Sequence, residues 1–163
     1  MTESQYQVIS FDDVKEEYIK DLGLKSVPRS NDALLSLPDG SLVFVEFKNG
    51  YIDSKDQHDI RKKIFDSMLI FSDIVEMGIS HTRAEMDYIL VYNQTKNPLE
   101  ASSTKTKVSD SESRDAIAKK LSSLGHTEYV KFGLDIFKNY CFREVYSYTI
   151  QEFEKNFLAK HAI

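Results

Sequence analysis

The 163 residues contain one cysteine, Cys141, three prolines and six glycines. A lone cysteine excludes an intrachain disulfide and a cysteine zinc cluster. The glycines form no GxGxxG and no P-loop, and there is no GxSxG nucleophile elbow. His58, His81, His126 and His161 are scattered without metal-ligand spacing. No apolar run approaches the roughly 18 residues of a membrane span. The opening "MTESQYQVISFDD" has neither a basic start nor an apolar core, so no secretory signal is expected, and these features together point to the cytoplasm. An excess of basic charge is also missing: 21 Lys and Arg stand against 26 Asp and Glu, for a net charge of −5. Affinity for nucleic acid comes largely from phosphate neutralisation, so this balance argues against a broadly nucleic-acid-binding surface and leaves room for a local basic groove.

What remains is an ordinary globular composition, 41 % hydrophobic and 29 % charged. It predicts one domain over 1–163 with a sizeable core. The chain reads as an α/β protein. A helix is expected near 11–22, with Ser10 as N-cap and Gly23 at its stop, and a weak strand near 24–28. Strands follow near 32–37 and 42–48. A long helix over about 55–77 carries the stripe Ile60, Ile64, Met68, Phe71 and Val75; Ser54 and Gln57 have capping-box spacing at its start and Gly78 stands at its end. "MDYILVYN" (86–93) reads as a strand. A polar, aperiodic loop over 94–110 precedes a short helix near 111–124, a strand near 139–148, and a terminal helix with Thr149 and Glu152 in a capping box.

The informative stretch is "DALLSLPDGSLVFVEFKNG", Asp32 to Gly50. Pro38-Asp39-Gly40 suits a three-residue hairpin loop: Pro presets the first position, Asp favours the second, and Gly takes the left-handed position. That loop length places Asp32 directly opposite Glu46, and Lys48, two residues on, shares their face. A loop one residue shorter or longer would turn Asp32 to the other face. Two carboxylates at cross-strand distance repel unless a proton or cation lies between them. A divalent ion with oxygen ligands satisfies them, and Mg²⁺ is typically held by one or two carboxylates plus waters and phosphate oxygens. The alternative is a solvated charge patch at a strand end.

Asp32 followed by Glu46-Phe47-Lys48 on the next strand resembles the motif of the PD-(D/E)xK nuclease superfamily, with Asn31 where proline is expected. The predicted order of elements over about 10–93 also resembles that family's restriction-endonuclease-like core of helix, three strands, helix, strand. Residues about 111–163 would then be a C-terminal helix-strand-helix extension. The resemblance implies that Asp32 and Glu46, with the carbonyl of Phe47, bind Mg²⁺ or Mn²⁺. It implies that Lys48 orients the attacking water or steadies charge on the phosphate. It also implies an acid from the first helix, Glu17 or Glu16, and a polar or basic group from the helix after the motif, Gln57, Arg61 or Lys62 in the first turns, with "RKK" reaching phosphate. Two functions are carried forward. One is a metal-dependent nuclease cutting phosphodiester bonds in DNA, or RNA, for which a basic cleft leading to Asp32 and Glu46 is the expected sign. The other is a catalytically inactive member of the same fold, a protein-binding or immunity module of a mobile element, for which a Lys48 salt bridge and no room for a metal is the sign. The apolar half of helix 55–77, "MLIFSDIV", is a candidate surface for a homodimer or protein partner.

Overall fold

The computed structural model describes residues 7–98 and 130–161. The elements run β1 (Gln7–Ser10), α1 (Phe11–Ile19), β2 (Ala33–Ser36), β3 (Leu42–Lys48), α2 (Ser54–Val75), α3 (Ile79–Glu85), β4 (Met86–Tyr92), a 3₁₀ turn (Asp135–Phe137), β5 (Glu144–Thr149) and α4 (Ile150–Phe153). The last continues through a π-helical stretch (Glu154–Leu158) into a final turn (Ala159–His161). The five strands form one mixed sheet in the order β1-β2-β3-β4-β5, antiparallel over β1-β2-β3 and parallel over β3-β4-β5. The α/β class is thus as the sequence indicates. Among the described residues no helix is long and apolar enough to cross a membrane.

The hairpin register follows from its turn. Leu37 N donates to Ser41 O (2.9 Å) and Gly40 N to Leu37 O (3.0 Å), with Gly40 at φ +85°. Leu34 faces Phe44 and Ala33 faces Val45, so Asp32 falls at the level of Glu46. Strand side chains alternate between faces. Leu34, Phe44, Tyr88, Leu90 and Tyr92 therefore pack on one side against Phe11 of α1, Ile60, Ile64, Met68 and Phe71 of α2, and Phe137 and Phe142. Leu35, Val43, Val45, Ile89, Val91 and Tyr148 pack on the other against Phe153 and Phe157 of the C-terminal helical run. Both faces are covered, which is why these strands read as continuous apolar runs rather than alternating ones. Phe11 meets Phe44 edge to face, ring centroids 4.9 Å apart.

Several local expectations are corrected. Residues 24–28 form no strand; Leu24 and Val27 are exposed and Pro28 donates no ladder bond. The strand beside β2 is β1, which precedes α1, so the order over the first half is strand, helix, two strands, helix, short helix, strand. α1 ends at Ile19, short of Gly23. The N-cap of α2 is Asp53, in a capping box with Asp56, not Ser54 with Gln57. α2 ends at Val75, its C-cap Glu76 taking the left-handed conformation (φ 55°); Gly78 instead precedes α3. The expected strand near 139–148 begins at Glu144. The Thr149–Glu152 capping box forms as read. The first residues of the expected polar loop make a turn pinned by the buried Asn97, whose Oδ1 accepts from Ile52 N (2.8 Å) and whose Nδ2 donates to Gly50 O and Asn93 O. The expected helix near 111–124 lies outside the described residues.

Candidate functional site

Glu46 lies near the C-terminal end of β3, a central strand, on the face covered by α1 and α2. Its side chain is 0 % exposed. Asp32 stands just before β2, clamped from both helices. Its carbonyl accepts from Phe11 N (3.2 Å), and the preceding residue, Asn31, donates its backbone N–H to Ser67 Oγ of α2 (2.8 Å). Asp32 Oδ2 accepts from the backbone N–H of Phe47 (2.7 Å), which leaves Oδ1 directed at the site. Lys48 Nζ is 3.6 Å from Glu46 Oε1. The structure therefore brings Asp32, Glu46 and Lys48 into one corner.

The group between the two acids is Lys63 of α2. Its Nζ donates to Glu46 Oε1 (2.7 Å) and Oε2 (2.8 Å) and to Asp32 Oδ1 (3.2 Å). Lys63 is part of the "RKK" run expected to reach phosphate, and in the fold it stands at the acids instead. A helical signal was nonetheless present. Lys63 shares a helix flank with Ser67 at i+4 and Ile70 at i+7, both buried against the sheet. Lys62 is instead exposed, and Arg61 Nη2 donates to Gly133 O (3.4 Å). Gln57 is part-buried in the first turn of α2; among the described residues no hydrogen bond joins it to Asp32, Glu46 or Lys48. Glu17 is exposed and pairs with Lys20 (3.4 Å), and Glu16 is exposed as well. The α1 acid that feels the charge of Lys63 is Asp12, which accepts from Ser30 Oγ and pairs with Lys15 (3.0 Å).

Burial dominates the electrostatics. It pushes the Glu46 carboxyl up from 4.5 to about 7; the bonds and charge of Lys63 oppose this, and the charge of Asp32 adds to it. Lys63 is held above its ordinary range, because its bonds to Glu46 and Asp32 outweigh the burial that would lower it. The ammonium is thus charged at neutrality, and the ion pair is complete only above about pH 7. The Ser30 hydroxyl holds Asp12 below its usual range, ahead of the opposing effect of burial. Tyr88, on the same face one residue pair inward, is raised well above the usual phenol value by burial and then by the charges of Glu46 and Asp32. Its hydroxyl is buried without a hydrogen-bond partner among the described residues, as are both side-chain polar atoms of Asn31.

The donor chemistry fits a hard divalent cation. Two carboxylates converge on one cationic nitrogen, and Mg²⁺ is commonly held by one or two carboxylates with waters and phosphate oxygens. Lys48 O accepts from Asn93 N (3.1 Å) on the β4 side. Successive strand carbonyls alternate in direction, so the Phe47 carbonyl is directed to the β2 side, where Asp32 lies. The Phe47 side chain points to the opposite face and meets Phe153 edge to face (6.0 Å). Among the described residues there is no group of three or more His, Cys, Asp or Glu side chains placed to hold a metal, so the acidic donors are limited to this pair.

No family model, no curated protein and no solved structure matches the chain.

Proposed function

We propose that the chain is a PD-(D/E)xK-like, restriction-endonuclease-like protein that hydrolyses phosphodiester bonds of DNA or RNA with Mg²⁺ or Mn²⁺. The observation that carries this reading is the convergence of Asp32 and Glu46 on a single cation position, with Lys63 Nζ within 3.2 Å of both. Asp32, Glu46 and the Phe47 carbonyl would hold the ion. When bound, the ion supplies Lewis-acid stabilisation of charge on a phosphate. The chain's own groups do the rest. Asp32 is positioned by the Phe47 N–H, so its free oxygen is aimed before any ligand arrives. Burial of Glu46 makes it a strong cation seeker once ionised, because its charge has little water to lean on. Lys48, part-exposed at the rim, orients a water or steadies charge that builds on the phosphate. Lys63 must leave the carboxylates as the divalent ion enters, which frees a second ammonium for the phosphate.

One observation favours a second reading. Lys63 and Lys48 already neutralise both acids without a metal. A catalytically inactive member of the same fold, binding a protein partner, would retain such a bridge as a structural feature.

Incubating the purified protein with mixed DNA and RNA in Mg²⁺ or Mn²⁺ separates the two. Wild type is expected to cut, and Asp32→Ala and Lys48→Ala to lose roughly 10²-fold or more in rate, the scale of removing one transition-state-stabilising group. A wild type that cuts nothing, or variants that cut equally well, would leave the inactive reading.

A further inference from the structure

Beside the acidic pair is an open recess of about 510 Å³ between α1, the segment 26–30 and α2. Lys15, Arg29, Lys62 and Lys63 line it, and Asp12 is its only carboxylate among the described residues. Lys63 belongs both to this recess and to the corner holding Asp32 and Glu46. The neighbouring acids only partly neutralise the cations. Lys15 pairs with Asp12 at 3.0 Å, and the Arg29 guanidinium reaches Asp59 only at 3.9 Å. Lys62 is exposed and has no ion-pair partner among the described residues. Asp66 accepts from the backbone N–H of Arg29 (2.7 Å), which fixes the segment and leaves the guanidinium available. Four cations and one carboxylate thus surround one concavity in a chain of net charge −5.

We propose that this recess binds the backbone phosphate flanking the one placed at Asp32 and Glu46, so that a single nucleic-acid strand runs from the acidic corner across Lys63 to Arg29 and Lys62. This rests on the hydrolytic reading of the adjacent corner and adds to it a path for the strand and the residues that hold its backbone. The planar Arg29 guanidinium and the Lys62 ammonium, unpaired among the described residues, suit a phosphate, which presents several acceptor oxygens and no donor. The contact is to backbone rather than base, so it carries no sequence preference and treats DNA and RNA alike.

The test is fluorescence anisotropy of labelled single-stranded DNA and RNA oligonucleotides with the full chain in EDTA, over a series of salt concentrations. EDTA removes cleavage and makes strand binding the readout. The double variant Arg29→Ala, Lys62→Ala is expected to bind about tenfold more weakly, and its log-affinity against log-salt slope is expected to be shallower by about 0.7, one phosphate contact's worth for a single strand. Arg29→Lys should recover part of the loss. Lys155→Ala, on the C-terminal helical run, should change nothing. Both altered recess side chains are largely at the surface, and unchanged circular dichroism checks the fold. Wild-type affinity and slope in the double variant, or absent binding by wild type, would overturn the proposal. A polyglutamate peptide of equal charge bound as tightly would also overturn it, assigning the recess to an acidic protein. The two proposals fail separately. If Asp32→Ala cuts as wild type does while the recess variant loses binding, the strand track stands and the assignment of the acids falls.

Discussion

At the scale of single residues, the unusual group is Glu46, a carboxyl sealed from solvent in an otherwise apolar layer of Phe44, Tyr88 and Leu90. Its titration at about 7, against an ordinary 4.5, gives a signed expectation. Between those values the folded chain holds a proton that the unfolded chain has released. Without divalent metal, stability therefore falls as pH climbs from about 4.5 to about 7 and then levels, by about 3 kcal/mol at most. Urea unfolding in EDTA across that range should show the decline in wild type and a much flatter profile in Glu46→Gln. Equal slopes in the two proteins would mean that Glu46 ionises as easily folded as unfolded. Lys63 is the complementary residue. Its ammonium makes a buried acid tolerable, and a lysine so placed is both a structural counter-ion and an obstacle to a metal.

At the scale of elements, the site depends on the β2–β3 hairpin. Gly40 sits at φ +85° with open space where a Cβ would be, so Gly40→Ala meets no steric neighbour and its cost is the backbone's alone. That substitution is expected to lower stability by about 1 kcal/mol, measured by thermal or urea unfolding; an unchanged midpoint would show that the turn relaxes freely. The hairpin was legible because its determinants are local: a Pro-Asp-Gly loop fixes a register, and the register fixes which side chains share a face. The neighbouring elements lacked such determinants. β1 has four residues and exposes Val8 and Ile9, so it has no apolar alternation to read and exists by pairing with β2. Leu24 and Val27 suggested a strand that nothing in the sheet accepts. α3 is seven residues long with one buried side chain, Thr82, too little for a periodic stripe. In α2, the run Arg61-Lys62-Lys63 was visible as charge, but only the helix phase relative to the sheet separates Lys63, which reaches inward, from Lys62, which faces the recess.

At the scale of the molecule, the sheet places the acidic pair where ligands commonly gather in α/β proteins, near the carboxyl ends of parallel strands. Glu46 and Lys48 close β3 on the face covered by α1 and α2, while the C-terminal helical run covers the other face and takes no part in the corner. The first and second acids come from different ends of a hairpin, the bridging ammonium from α2, and the flanking cations from α1, the segment that follows it and α2, so the corner assembles only in the folded chain. An acidic net charge is compatible with this, because four cations, Lys15, Arg29, Lys62 and Lys63, line one recess beside the acids.

The central claim, that Asp32 and Glu46 form a divalent-cation site in which Lys63 is the resident ammonium, is tested most directly by calorimetric titration of Mn²⁺ into metal-free wild type, Asp32→Ala and Lys63→Ala at a pH above 7. The account predicts binding by wild type, loss of binding in Asp32→Ala, and tighter binding in Lys63→Ala, where no ammonium has to be displaced. No heat of binding in wild type, or weaker binding on removal of Lys63, would contradict it.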